Sequence, residues 1–146
     1  MDNMRQQIVD AVTARLQTIT RANGYSLDIG TRVFPWRKRS LAVNEVPAIC
    51  FEDGHAAMQT QSLGGAISHT LEFTVDLFVA GKTTATQARA GLADIMAALA
   101  TDETFGGLVV DFSPGSHEIT MLVEGDICGA GSLVFHLEYY TGPGAI

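Results

Sequence analysis

Several residues in this 146-residue chain are of types that do chemistry, and their spacing decides what that chemistry would be. Four histidines, His55, His69, His117 and His136, are candidate bases or metal ligands. None shares a helical i, i+4 spacing with another, and Cys50 and Cys128 form no CxxC pair, so no convergent zinc set is expected. The histidines read as exposed or strand-face residues, and the cysteines as buried thiols of a reducing compartment. The run Gly125-Asp126-Ile127-Cys128-Gly129-Ala130-Gly131 has the glycine density of a phosphate loop. Such loops need GxxxxGK[ST], or GxGxxG opening a helix. Here a strand follows and lysine is missing, so a hairpin connection or a bulge is expected. Glu52-Asp53 and Asp102-Glu103 are adjacent acids of the kind that solvate or cap turns, and no GxSxG elbow accompanies them. The expectation is a chain with no catalytic residues, no metal and no cofactor.

Trp36-Arg37-Lys38-Arg39 is the one basic cluster with an aromatic residue beside it. Tryptophan and arginine are the side chains enriched at interface hot spots, so these four are interface candidates, against the plainer reading of a solvated turn. Residues 1–39 hold seven of the nine Lys and Arg side chains against three acids; residues 40–146 hold two against thirteen acids. A chain of net charge −7 is a poor specific partner for nucleic acid, whose affinity comes from neutralised phosphates. The asymmetry suits a chain whose partner is a second copy of itself, although the sequence does not assign the charges to opposite faces.

The elements that must position these residues follow from periodicity. Ile8, Val12, Leu16 and Ile19 recur at helical spacing and predict an amphipathic helix over 3–22, with Asn3 and Gln6 as a capping-box variant and Asn23-Gly24 as its stop. Residues 26–34 and 46–52 predict two strands, the second led by Pro47. Leu71, Phe73, Val75, Leu77 and Val79 alternate with Glu72, Thr74, Asp76, Phe78 and Ala80, the clearest strand signal, over 69–80. A helix over about 84–100 places Ala88, Leu92, Ile95, Met96 and Leu99 on one stripe. LVVDF, then a turn at Pro114-Gly115, a strand over 119–124 and a last strand over 132–140 complete the chain. The stretch from Asp53 to about Ile67, DGHAAMQTQSLGGAI, is small, polar and glycine-bearing. It predicts a long mobile loop containing Asp53, Gly54, His55, Met58, Gln61, Gly64 and Gly65.

The predicted class is α+β: one domain over 1–146, with a mixed, largely antiparallel sheet of four to six strands. Two helices pack on one face, in the order α-β-β-β-α-β-β, and the tail frays from about residue 141. If the helices cover only one face, the apolar side chains Phe78, Leu122, Val134 and Tyr140 on the other need a cover, and a neighbouring subunit is a candidate. A 47% hydrophobic content excludes a disordered tail, and no apolar run reaches the roughly 20 residues of a membrane span. MDNMRQQIVD lacks the apolar core of a signal peptide.

The helix MRQQIVDAVTARLQTI, the proline-led EVPAICFEDG, the alternating HTLEFTVDLFVAG, a second helix running into LATDETFGGLVVDFSP, and the final GSLVFHLEYYTGPG span nearly the whole chain. In this order they resemble the tail terminator, or tail completion, proteins of long-tailed bacteriophages. ALATDETFGGL, an acid before a short turn and then Gly106-Gly107-Leu108, is the most characteristic piece. The resemblance implies a structural virion protein of the tail, assembled in the host bacterial cytoplasm. It implies a hexameric ring of copies that caps the last ring of tail tube protein, stops tube polymerisation and presents a surface to a head-completion protein. It also implies that the 53–67 loop orders on assembly. A head-completion or connector ring component is the nearest alternative. A small ligand-binding or enzymatic α+β domain with the 53–67 loop as lid is the alternative of another class, and a convergent polar pocket beneath that loop would mark it.

Overall fold

The computed structural model describes residues 3–36, 45–61, 64–81, 84–124 and 127–146, with the backbone alone at 121–124 and 127–128. Helix α1 (Met4–Leu16) buries Ile8, Val12 and Leu16 completely. Asn3 Oδ1 accepts the Gln6 N–H at 2.8 Å, but the Gln6 side chain turns forward to Asp10, so only half of a capping box forms. The helix expected as far as residue 22 stops at Leu16. Thr18 Oγ1 takes the Arg15 carbonyl at 2.6 Å, the side-chain competition that ends helices. Ile19 nevertheless stays in the core, and Gly24, at φ 92°, ends a short 3-10 turn over Arg21–Asn23 instead of the helix. The strand expected over 26–34 shrinks to β1 (Val33–Pro35), because Ile29–Thr31 forms a second 3-10 turn.

Strands β2 (Ala48–Thr60), β3 (Ile67–Ala80), β4 (Asp111–Glu124) and β5 (Ile127–Thr141) complete a five-stranded sheet in the order β1-β2-β3-β5-β4. The β1–β2 pair is parallel and every other pair is antiparallel. Alternation along β3 and β5 sends Leu71, Phe73, Val75, Leu77, Val79, Leu133, Phe135, Leu137 and Tyr139 to one buried face. Each such side chain contributes about 1.5–3 kcal/mol when fully buried. Phe73 and Phe135 stack across the β3–β5 pair with centroids 5.1 Å apart. Helix α2 (Thr84–Leu99) covers this face with Ala88, Leu92, Ile95 and Leu99, and α1 packs beside it. The chain is therefore an α+β fold with a mixed, mostly antiparallel sheet, as its periodicity predicts. Among the described residues no helix is long and apolar enough to cross a membrane.

The glycine run near residue 129 lies in β5, under α2. A Cβ on Gly131 would stand 3.0 Å from Leu92 Cγ, and one on Gly129 3.2 Å from Thr84 Cβ, so these glycines let helix and sheet approach. Pro114-Gly115 is likewise no turn. The β4–β5 register skips from Pro114/Phe135 to Ser116/Val134, a bulge in an edge strand that can spare the proline N–H.

The largest departure concerns residues 53–67. Asp53, Gly54, His55 and Met58 lie in β2, paired with β3 as far as Thr60/Ile67, and of the described residues only Gln61, Gly64, Gly65 and Ala66 lie between the two strands. Two residues of bulge, Gly54 and His55, shift the register between Asp53/Phe73 and Ala56/Leu71. The alternation therefore inverts midway, and a two-residue period read across it vanishes. The C-terminal tail folds back: Thr141 Oγ1 donates to the Ala145 carbonyl at 3.1 Å, and the Met4 N–H donates to the Ile146 carbonyl at 3.2 Å.

Gly91 sets how close α2 lies to the sheet, since a Cβ there would meet the buried Leu77 side chain at 2.2 Å. Gly91→Ala is expected to destabilise the chain by about 1–3 kcal/mol in urea unfolding, overpacking outweighing the helix-propensity gain of about 1 kcal/mol. A stabilised variant would show that the helix can lift without cost.

Candidate functional site

The open face of the sheet collects acids. Register places Glu52 of β2, Glu72 and Asp76 of β3, Glu138 of β5, and Asp111 and Glu118 of β4 on the face turned away from the helices. Burial raises the Asp76 carboxyl above its usual range, with Ser132 opposing as a hydrogen-bond partner. His136 stands opposite Glu72, its Nε2 3.2 Å from Oε2. The Tyr140 hydroxyl donates to Glu138 Oε1 at 3.0 Å, and this contact first of all raises the phenol pKa. Among the described residues no Lys or Arg lies on this face. The described arginines, Arg5, Arg15, Arg21, Arg32 and Arg89, sit on α1, on α2 or in the connection from α1 to β1. The helical side carries acids too, and Arg5, Arg15 and Arg21 are paired there with Asp53, Asp102 and Asp28, so the two sides differ in that the described arginines are confined to one of them.

Phe78, Val134 and Tyr140 do lie on the open face, but they are not a continuous apolar patch. Phe78 is flanked by Ala48 and Ala130, Val134 by Thr74 and Ser116, and Tyr140 by Ser68, with acids between them. Leu122 has only its backbone described, within β4, and Arg37, Lys38 and Arg39 lie outside the described residues. Trp36 is 48% exposed and anchored, its Nε1–H donating to Asp53 Oδ1 at 2.7 Å.

Asp53 is itself a hub. Its carboxylate, almost buried, also accepts from Arg5 Nε at 2.7 Å, while the Arg5 guanidinium donates to the Gly54 carbonyl at 2.6 Å. The pair joins α1, the end of β1 and the β2 bulge. Asp94, the other nearly buried acid, accepts the Ser26 and Leu27 N–H groups at 3.0–3.1 Å and fastens the α1–β1 connection to α2. These roles were hidden in sequence, since Arg5 and Asp94 carry no motif.

The segment following α2 is built as an anion turn. Asp102 accepts from Thr104 Oγ1 at 2.6 Å, Thr104 N at 3.0 Å and Gly106 N at 2.9 Å, and these bonds, the Thr104 hydroxyl first, hold its pKa at about 2. Phe105, Gly106 and Gly107 all adopt positive φ. Arg15 donates to the Ala98, Leu99 and Asp102 carbonyls at 3.1–3.2 Å and lies 4.6 Å from the Phe105 ring centroid. It closes the C-terminal end of α2, where orphan carbonyls and the helix dipole favour a cation.

The histidines do not converge. His55 is in the bulge of β2, His117 is exposed on β4 and His136 faces Glu72. His69 is buried against Tyr139, ring centroids 4.6 Å apart, and burial lowers its pKa. The described residues include no group of three or more His, Cys, Asp or Glu placed to hold a metal. Glu52 and Asp53 point to opposite faces, and Asp102 caps its own turn. A cleft of about 380 Å³ opens between α2 and β4, not beneath the 53–67 hairpin, lined by residues such as Leu92, Met96 and Ile119. No model of a known family matches the chain, and no curated protein does.

Two outcomes follow. Asp53→Ala is expected to cost about 1–3 kcal/mol, because the Arg5 guanidinium and the Trp36 N–H lose their acceptor together; urea unfolding followed by the emission of the single tryptophan checks it. The Asp102 shift is downward, so its contribution is complete above the unfolded value near 3.8 and is lost as pH falls toward 2. Asp102→Ala is therefore expected to lose stability at neutral pH and to converge with the parent chain in acid. A difference independent of pH would place the effect elsewhere.

Proposed function

We propose that the chain is a structural virion protein that closes a finished phage tail tube as a ring of copies, ending polymerisation and offering the surface to which the head is joined. The observation that carries this reading is the sorting of charge: an acidic open sheet face on one side and the described arginines in the helical layer and its connections on the other. A ring repeats one head-to-tail contact, which requires two different, complementary surfaces on each copy. An acidic sheet face without described cations and a helical side that carries both signs are two such different surfaces, and the acidic face disfavours contact with its own copy.

Further support comes from the sheet edges. Its outer strands, β1 and β4, are unlike each other in length and composition. The order of elements is that expected of the tail terminator proteins, and the ALATDETFGGL segment has a definite structural task, turning the chain from α2 toward β4 on the Asp102 cap. The partners implied are further copies of the chain, the tail tube protein and a head-completion protein.

In a phage whose genome carries this gene, its deletion is expected to leave overlong tails without heads in electron micrographs; tails of normal length bearing heads would overturn the reading. Sedimentation through a salt series is expected to show a salt-sensitive equilibrium between monomer and hexamer. Arg37→Glu combined with Arg39→Glu should weaken self-association or docking on tubes about tenfold at low salt with circular dichroism unchanged. Undiminished assembly of the folded double variant removes the cluster from the interface.

A further inference from the structure

The cleft between α2 and β4 has a charge character opposite to that of the surface around it. Its walls are the apolar parts of Leu92, Ala93, Met96, Pro114, Ile119 and Leu133, and Arg89 and His117 also line it. No acid is among its described lining residues, in a chain whose residues 40–146 carry thirteen acids. Neither Arg89 nor His117 makes a hydrogen bond or ion pair among the described residues. Every other described arginine except Arg32 has a side-chain partner: Arg5 with Asp53, Arg15 with the end of α2, Arg21 with Asp28. Among the described residues Arg89 is thus a cation without a partner, beside an apolar hollow.

We propose that this cleft is a binding site for a small apolar carboxylate, its hydrocarbon part against Leu92, Met96 and Ile119 and its charge on Arg89 and the His117 imidazole. Two observations select this occupant. The volume of about 380 Å³ lies in the range of small-ligand pockets. The lining joins hydrocarbon to the Arg89 cation and an imidazole, the complement of an amphipathic anion; an apolar cation is repelled by Arg89, and a neutral alcohol leaves its charge uncompensated. Ile119, 40% exposed, is the exposed apolar side chain that such a ligand would cover. The site does not depend on the ring reading, since the cleft is formed within one copy.

Sodium decanoate is the probe, titrated calorimetrically into the full chain, with 1-decanol and decyltrimethylammonium as the neutral and cationic counterparts. Decanoate is expected to bind one molecule per chain and to shift the amide resonances of Leu92, Ala93, Met96 and Ile119. Arg89→Glu should weaken it at least tenfold. Ala93→Trp, at an exposed position on the cleft wall, should abolish binding by filling the space; both exposed sites leave the buried core intact. Binding of decanol or the cationic amphiphile as tight as that of decanoate overturns the proposal, as does decanoate binding that Arg89→Glu leaves unchanged. Resonance shifts confined to the open sheet face overturn it too. No decanoate binding by the folded chain, with the cleft instead closed by another copy in hexamers, overturns the ligand and leaves the ring reading standing. Decanoate binding by a chain that never associates supports the site and counts against the ring.

Discussion

An ionised carboxylate removed from water is costly unless charge and hydrogen bonds surround it, and Asp53 meets that condition with two partners from different elements. Arg5 reaches it from α1 and Trp36 from the residue after β1, at 2.7 Å each. Arg5 also holds the carbonyl of Gly54, inside the bulge. One ion pair therefore fixes where α1 docks, where β1 ends and where β2 changes register. Beyond the bulge the faces of β2 are exchanged, so that Ala56 and Met58 stand on the helix side, where Asp53 also points. The edge half of the sheet combines this junction with the buried side chains of Ile29, Ile49 and Phe51, since β1 itself contributes only three residues to the ladder.

The opposite half depends on close approach. Gly91 on α2 and Gly131 on β5 remove side chains where the helix crosses the sheet, and Leu77 and Leu92 occupy the space. On the side of α2 toward β4 the cleft opens, with the Pro114-Gly115 bulge in its wall. The same bulge is intolerant of a side chain, since a Cβ on Gly115 would lie 2.9 Å from the Val134 carbonyl. An edge strand carrying a proline and a bulge resists indiscriminate pairing with other chains, which leaves its contacts to more selective features of the surface.

What was legible in sequence was what repeats. The alternation in 69–80 and 132–140 fixed two central strands, their buried face and the helical layer above them, because the two strands pair without a shift from Ile67/Thr141 to Val79/Gly129. What was illegible was what interrupts repetition. The Gly54-His55 bulge concealed half of β2 as a loop, and Pro114-Gly115 concealed the continuity of β4 as a turn. Helix α1 was read too long because Ile19 keeps the helical phase of the core although the chain has already left the helix. The polar positions of the alternating strands, Glu72, Asp76 and Glu138, already contained the acidic face. Attention to the apolar exceptions Phe78, Val134 and Tyr140 drew the eye from it, and only the register shows that acids outnumber them there.

The distribution of charge has a consequence for assembly that apolar contact would not. A broad apolar face would drive association at any salt concentration and would tolerate several registers, since hydrophobic burial has no direction. Carboxylates spaced along strands, each tied to a neighbour as Glu138 is to Tyr140 and Glu72 to His136, present a fixed pattern whose attraction is weak between exposed charges and screened within about 8–10 Å in physiological salt. Such a surface holds a partner only where many contacts form together. For the ring of copies proposed above, weak pairwise attraction with strong orientation is the physically suited arrangement.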